Sequence, residues 1–150
     1  MDLILWRHSE AEKGMPDLKR KLTKRGLKQA EAVAEWLIPR LAERYKIYVS
    51  PADRARQTAE ALGLPFTLSE QVSPTATAAN ILAQVNWPSA KGAVVVVGHQ
   101  PALGQVAALL LSGNEANWSI KKGALWWFSN RLRDDETQTV LRAVITPDML

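Results

Sequence analysis

Short apolar runs alternate with amphipathic segments along most of the chain. Residues 2–7 and 93–97 are dominated by apolar side chains. Such uninterrupted runs are typical of strands that are buried on both faces of a parallel sheet. Residues 47–49 and 65–68 are shorter candidates for strands. The alternation predicts an α/β fold, a three-layer sandwich with a mixed, mostly parallel central sheet.

Helix signals separate these strands. Thr23 is a candidate N-cap for a helix over residues 24–44, in which Pro39 should kink or end the regular part. The apolar face of this helix would be formed by Leu27, Ala30, Ala34, Leu37 and Leu41. Ser50 is the expected cap of a second helix that ends at Gly63. Two further helices are predicted over residues 75–85 and 101–111.

The C-terminal region follows a different pattern. Residues 124–130 and 137–145 read as two strands around a charged turn at residues 133–136, which predicts a hairpin. Residues 9–22 are polar and should form a loop. No internal repeat, low-complexity tract or linker interrupts the 150 residues. A single domain over residues 1–150 is therefore expected.

Composition narrows the class of protein. The chain is 47% apolar with six tryptophans, which argues against disorder. It has no cysteine and only two histidines, so neither a metal site nor a cofactor is expected. No segment approaches the roughly 18 apolar residues of a membrane span, and the N-terminus lacks the features of a signal peptide. We expect a cytoplasmic protein without a membrane partner.

The net charge of +4 favours anionic partners. Much of the positive charge is clustered within residues 19–28. This cluster fits an ordinary solvated loop and helix face as well as it fits an anion-binding surface.

The two histidines occupy similar positions. His8 follows the first strand directly after Arg7, and His99 follows the run 93–97 after Gly98. Parallel sheets bind ligands outside the carboxyl ends of their strands. A neutral imidazole can attack phosphorus, and a guanidinium can bind two phosphate oxygens. The pattern therefore indicates a site that handles phosphate, with His8 expected at a strand end that solvent reaches.

Arg54 adds a second cation. It is expected in the first turn of the helix that Ser50 precedes, where a positive charge opposes the helix dipole. An anion held nearby would offset that cost. Arg56 points to a different face, where a surface ion pair is expected.

Three elements together resemble the histidine phosphatase superfamily, the phosphoglycerate mutase-like group. They are Arg7-His8-Ser9, the stretch from Ser50 to Ala59 with Arg54, and Val97-Gly98-His99. The compact length and residues 17–26 look like the small SixA-type branch of phosphohistidine phosphatases. The resemblance implies that His8 is the nucleophile and that Arg7, Arg54 and His99 complete a phosphate pocket. Arg20 matches an arginine of this branch, and Ser9 replaces the usual glycine; both are candidate substrate-binding residues.

These features predict a metal-independent phosphatase with a phosphohistidine intermediate, acting on protein phosphohistidine. No general acid stands out. Glu70 follows the candidate third strand and is the possible acid, although it fits a solvated surface charge better, and Glu10 and Glu12 also lie near the site in sequence. A phosphoramidate needs less acid assistance than an ester. One alternative is a small-molecule phosphomonoesterase that uses Glu70 or another acid. Another is a non-catalytic module that binds phosphoprotein or nucleic acid through residues 19–28. The chain lacks a recognised nucleic-acid motif, so nucleic acid is not the expected partner.

Overall fold

A computed structural model describes all 150 residues. Six strands form one sheet: β1 (Asp2–Arg7), β2 (Tyr45–Val49), β3 (Thr67–Leu68), β4 (Ala93–Gly98), β5 (Leu125–Arg133) and β6 (Glu136–Ile145). Four helices accompany it: α1 (Lys24–Leu37), α2 (Asp53–Glu60), α3 (Ala78–Gln84) and α4 (Ala102–Ser112). Short 3-10 turns occupy residues 17–19, 38–40, 70–72 and 147–149. None of the helices has the length and apolar character needed to cross a bilayer.

The sheet has the order β3-β2-β4-β1-β5-β6. Its first four strands are parallel, while β5 is antiparallel to both β1 and β6. The predicted mixed, mostly parallel sheet is confirmed. β1 and β4 are neighbours with Arg7 opposite Gly98, so the residues that follow these two strands leave the sheet side by side.

Two apolar clusters lie on opposite faces of the sheet and make the fold a three-layer sandwich, as predicted. Leu3 and Leu5 of β1 pack into one cluster with Leu103 of α4. Ile4 and Trp6 pack into the other cluster, which includes residues of α1 and α2. These four β1 side chains are all 0% exposed. Burial of each such side chain stabilises the fold by about 1.5–3 kcal/mol, so β1 is held firmly from both faces.

The first helix is shorter than predicted. The expectation of a helix over residues 24–44 is wrong, because α1 ends at Leu37 and only one 3-10 turn follows. Pro39 lies in that turn, where it lacks the N–H that a continuing helix needs. Leu27 is also not on the buried face, since its side chain is 42% exposed. Gly26 is buried instead, against the backbone of Glu10, where a side chain would not fit.

The start of the second helix also differs. Ser50 is not the N-cap, because α2 begins at Asp53 and Ala52 takes the capping position. The Ser50 hydroxyl accepts a hydrogen bond from the Ala52 N–H (3.2 Å) in the turn before the helix. Arg54 nevertheless remains in the first turn of α2, as predicted.

Other boundaries shift by a few residues. α3 begins at Ala78 rather than residue 75, because Thr77 and Asn80 form a capping box. The hairpin strands extend further than predicted and meet in a tight turn. Asp134 and Asp135 occupy this turn with φ of 52° and 64°, a conformation that Asp and Asn tolerate better than most residues.

Candidate active site

The adjacency of β1 and β4 brings the two histidines together. The backbone N–H of His8 donates to the Gly98 carbonyl (3.1 Å) and so extends the pairing of the two strands by one residue. The ring centroids of His8 and His99 lie 5.2 Å apart. Their exposed fractions are only 5% and 6%, so His8 is more enclosed than the expected solvent-reached position. A ligand that touches both rings must enter a confined site.

The hydrogen bonding of His8 assigns its tautomer. Nδ1 lies 2.8 Å from the carbonyl oxygen of Ser9, which can only accept, so Nδ1 carries the proton. Nε2 therefore keeps its lone pair. Ser9 is itself fixed, because its N–H donates to Thr58 Oγ1 (3.0 Å). The imidazole is thus oriented through the backbone of the next residue.

Burial and nearby cations keep His8 neutral. Burial is the main cause that lowers the pKa of His8 to about 4, and the charges of Arg54, Arg7 and Arg20 lower it further. The hydrogen bond to Ser9 opposes this shift. At neutral pH the ring therefore carries the nucleophilic lone pair at Nε2.

His99 is oriented by a residue that the sequence indicated only as a helix cap. Its Nε2 lies 2.7 Å from Ser50 Oγ, and that hydroxyl already accepts from the Ala52 N–H. The hydroxyl proton has no other acceptor in the protein, so it donates to Nε2 and leaves Nδ1 protonated. Burial is the main cause that lowers the pKa of His99 to about 3, followed by repulsion from the protonated form of His8 and from Arg54. His99 is thus a neutral donor through Nδ1.

Arg54 is a buried cation anchored by the loop between β1 and α1. Its exposed fraction is 4%. One terminal nitrogen donates to the Asp17 carbonyl (2.8 Å), and the other donates to Asp17 Oδ2 (3.1 Å). The Nε–H of Arg54 is buried and has no hydrogen-bond partner in the protein. Buried N–H groups are rarely left unpaired, so this donor indicates an anion-binding site.

Arg7, like Arg54, combines an anchored N–H group with a buried N–H group that has no partner. Its Nη1 donates to the carbonyl of Ile120 (2.8 Å), while its buried Nε–H has no partner. Burial, with the nearby charge of Arg54, lowers the pKa of Arg7. Two guanidinium groups that repel each other in a partly buried site would both be stabilised by a shared anion.

Arg20 is linked to the site through Asp17. Its Nε lies 3.1 Å from Asp17 Oδ1, and its Nη1 donates to the Glu12 carbonyl (3.1 Å). Desolvation alone would raise the pKa of Asp17, but the hydrogen bond from Arg54 and the charges of Arg54 and Arg20 lower it. Asp17 thus remains ionised and connects the loop arginine to the buried one.

Ser9 and Glu70 differ in their relation to these groups. Ser9 is fully buried, and its hydroxyl has no hydrogen-bond partner in the protein. Glu70 is exposed in a 3-10 turn, and its carboxylate makes no hydrogen bond or ion pair. The structure therefore brings Ser9 to His8 but does not bring the Glu70 carboxylate into contact with the two histidines.

Sequence reasoning missed several positioning residues. Asp17 fixes Arg54, Ser50 orients His99, and Thr58 holds the backbone of Ser9. Gly123, with φ of +75°, donates its N–H to the carbonyls of Arg7 and His8. Ser50 and Thr58 lie within the motif around Arg54, so the motif contained a signal for both.

Five surface clefts, with volumes of about 220 to 420 Å³, are lined by residues other than His8, Arg7, Arg54 and His99. The two histidine rings lie instead in an enclosed site, since they are only 5% and 6% exposed. A group that contacts both rings must therefore be small enough to enter this site.

The assembled groups match the needs of phosphoryl chemistry. They comprise a neutral imidazole with an available Nε2, an Nδ1–H donor on His99 and two unpaired guanidinium N–H groups. A phosphoryl group needs mainly positioning and neutralisation of its oxygens. The guanidinium N–H groups and the Nδ1–H of His99 can bind phosphoryl oxygens, and Nε2 of His8 can attack phosphorus.

Comparison with known proteins agrees with this chemistry. The model of the histidine phosphatase superfamily (branch 1) matches residues 3–75. The structure of the protein histidine phosphatase SixA complexed with tungstate is similar with a TM-score of 0.78 and 26% identity, covering 99% of both chains. No curated protein sequence gives a significant match.

Two further solved structures share the fold at lower identity. One is a mutant phosphoserine phosphatase from Entamoeba histolytica with phosphoserine (TM-score 0.71, 20% identity, 99% of this chain and 98% of that one). The other is the alpha-ribazole phosphatase from Shigella flexneri (TM-score 0.74, 16% identity, 98% of this chain and 97% of that one). The superfamily model and the SixA structure together indicate the class of protein, a phosphatase with a phosphoglycerate mutase-like α/β fold. Nearly half of the chain, residues 3–75, is similar to the histidine phosphatase superfamily.

Proposed function

We propose that the protein hydrolyses phosphohistidine on proteins, through a phosphoryl group carried transiently by His8. The observation that carries this proposal is the hydrogen bond from His8 Nδ1 to the Ser9 carbonyl, 2.8 Å long. It leaves the lone pair on Nε2 and orients the ring. With the pKa of His8 lowered to about 4, nearly all of the enzyme holds the nucleophile in its reactive form at neutral pH.

The reaction takes place in two steps. In the first, Nε2 of His8 attacks phosphorus, a new N–P bond forms, and the N–P bond of the substrate breaks. The substrate imidazole leaves with its electron pair and takes a proton from a water molecule, and the hydroxide so formed takes up the proton that the attacking water releases in the second step. In the second, water attacks phospho-His8, which releases inorganic phosphate and restores the neutral ring. The N–H groups of Arg7, Arg54 and His99 stabilise the phosphoryl oxygens in both steps.

The acid–base properties of the site favour a phosphoramidate over an ester. An alkoxide leaving group requires a general acid, whereas an imidazole leaves more readily. Asp17, the carboxylate fixed against Arg54, is held ionised and cannot donate a proton at neutral pH. The SixA structure was solved with tungstate, a tetrahedral oxyanion, which supports oxyanion binding by this kind of site.

A small-molecule phosphomonoesterase is the second candidate. Glu70 begins the 3-10 turn whose last residue, Val72, lies against Gly98, immediately before His99. Glu70 is therefore a carboxylate on a turn that packs next to the end of β4. The phosphoserine phosphatase of the same fold was solved with phosphoserine, which is a phosphate ester.

A substrate panel tests the proposal. The enzyme, treated exhaustively with a chelator, is assayed on free phosphohistidine, a phosphohistidine protein, an aryl phosphate and an alkyl phosphate. We expect rapid turnover of phosphohistidine, measurable turnover of the aryl ester and slow turnover of the alkyl ester. An alkyl ester cleaved as fast as phosphohistidine would favour the second candidate. Activity that chelation removes and magnesium or zinc restores would contradict the metal-independent mechanism.

A further inference from the structure

Exposed basic residues lie in the two segments whose backbone atoms bind Arg7, His8 and Arg54. We call six of them the basic rim: Lys13, Lys19, Lys21, Arg25, Lys121 and Lys122. One side belongs to the loop after β1 and the start of α1. The other side is the short segment before β5. All six side chains are exposed.

Both sides of the basic rim are tied directly to the pocket. Lys19 lies two residues after Asp17, which binds Arg54. Lys121 and Lys122 lie between Ile120, whose carbonyl holds Arg7, and Gly123, whose N–H binds the backbone of Arg7 and His8. The positions of these lysines are therefore set by the same contacts that build the pocket.

The positive charge of the chain is concentrated here. Residues 9–28 and 121–122, together with Asp148, which lies near Lys121 and Arg25, contain nine basic and four acidic side chains, a balance of +5. The whole chain carries +4, so the remaining residues balance to −1 even though they include Arg7 and Arg54. The five lysines of the basic rim have no carboxylate within 4.0 Å, and Arg25 has only Glu10 at that limit. Their charges are available to a partner.

Exposed aliphatic side chains accompany these charges. Met15 and Leu18, in the same loop, are 89% and 51% exposed. Apolar anchors bordered by charge are typical of surfaces that bind proteins. Nucleic acid would instead call for aromatic stacking, and residues 9–28 and 120–123 contain no aromatic side chain.

We propose that the basic rim docks an acidic surface of the phosphorylated protein, so that the phosphohistidine is presented to the pocket between its two sides. This inference rests on the proposed function and narrows its substrate class. A phosphoryl group alone needs only the N–H donors of Arg7, Arg54 and His99. The charges on the two sides of the basic rim attract a substrate more strongly only when that substrate carries further negative charge around the phosphohistidine.

Paired peptides and charge reversals test the docking surface. The substrates are free phosphohistidine and two short phosphohistidine peptides that differ only in glutamate or glutamine flanks. The rim variant is the double substitution Lys121→Glu with Lys122→Glu. The matched control is Lys46→Glu with Lys91→Glu, an equal charge change at exposed positions on β2 and before β4.

We expect kcat/KM of the wild type to be about tenfold higher for the glutamate-flanked peptide at low salt, and the preference to shrink as ionic strength rises. The rim variant should lose or reverse the preference, whereas the control should keep most of it. Equal kcat/KM values for both peptides, or equal effects of the two double variants, would overturn the docking proposal.

Three further outcomes distinguish failure of the docking surface from failure of the proposed function. Hydrolysis of free phosphohistidine without any preference between the peptides would overturn the docking surface and leave the proposed function standing. Failure to hydrolyse free phosphohistidine and both peptides would overturn the proposed function and the docking surface with it. Tight, salt-sensitive binding of a single-stranded oligonucleotide that displaces the glutamate-flanked peptide would assign the basic rim to nucleic acid instead.

Discussion

The arginines of the pocket and the lysines of the basic rim carry the same charge in opposite settings. Arg54 is 4% exposed and fixed by two hydrogen bonds to Asp17. Lys121 and Lys122 are exposed and unpaired. Burying a charge costs free energy. A buried charge nevertheless stabilises a reacting group strongly, because no solvent has to reorganise around it during the reaction. Exposed lysines act at longer range and are screened by salt.

This difference predicts two kinds of behaviour. Changes in the pocket should impair every substrate, at any ionic strength, by large factors. Changes in the basic rim should affect charged protein substrates selectively and disappear at high salt. Within and around the pocket, the expected effects range from the largest, at the nucleophile, to the smallest, at the exposed carboxylate of Glu70.

Replacement of the proposed nucleophile, His8, should have the largest effect. His8→Asn keeps an amide N–H near the position of Nδ1, which can still donate to the Ser9 carbonyl, but lacks Nε2. We expect kcat/KM to fall by about 10⁴ or more on all substrates, as for other covalent catalysts that lose their nucleophile. Because His8 is buried, His8→Ala leaves a cavity, so thermal melting of both variants provides the control for folding. A folded His8→Asn enzyme with normal turnover would contradict the mechanism.

Loss of a pocket arginine should come next. Arg54→Ala removes an N–H donor and a buried charge, and we expect a fall of about 10²–10³ in kcat, by analogy with single oxyanion donors. Arg7→Ala should behave similarly. Arg56→Ala is the matched control, since Arg56 is on the same helix but half-exposed and paired only with Asp53 (3.8 Å). Comparable losses in the Arg54 and Arg56 variants would show that Arg54 acts only structurally.

The acid–base prediction concerns the two histidines directly. Their pKa values are lowered to about 4 for His8 and about 3 for His99. Because both folded values lie below the ordinary value of 6.5, the unfolded chain binds more protons below that pH. The free energy of unfolding should therefore fall as pH decreases from about 6.5 towards 4.

NMR titration of the imidazole rings checks the pKa values on which this prediction depends, and the chain has only two histidines to follow. We expect neither ring to titrate near 6.5, and bound phosphate to raise both pKa values. Ordinary titration of either ring near 6.5 would show that the site is more solvated than the structure indicates.

The smallest effect is expected at Glu70. If the leaving group needs no acid, Glu70→Gln should change kcat on phosphohistidine by less than about threefold. The same variant assayed on an alkyl phosphate shows whether the second candidate function applies. A large, selective loss of ester turnover would identify Glu70 as an acid.

Much of the layout was accessible from local patterns. The runs 2–7 and 93–97 predicted buried strands, and the histidines after them meet because those strands are neighbours in the sheet. The expected position of Arg54 in a first helical turn is confirmed, because the helix begins at Asp53, three residues after the Ser50 that indicates its start.

What could not be predicted depends on distant contacts. Asp17 and Arg54 are 37 residues apart, and no local pattern pairs them. The sequence around Ser50 is typical of a helix cap, and no local pattern indicates a contact with His99. Only the fold shows that the Ser50 hydroxyl lies against His99. Leu27 fits the apolar period of α1, but tertiary packing leaves it exposed and buries Gly26 against Glu10 instead.

Isolation of the phosphoenzyme tests the central claim most directly. The enzyme is mixed with labelled phosphohistidine, quenched at alkaline pH, where phosphohistidine survives, and digested for mass spectrometry. The account predicts acid-labile, base-stable phosphate on His8, and none in His8→Asn. Phosphate found on another residue, or rapid turnover with label never reaching His8, would contradict it.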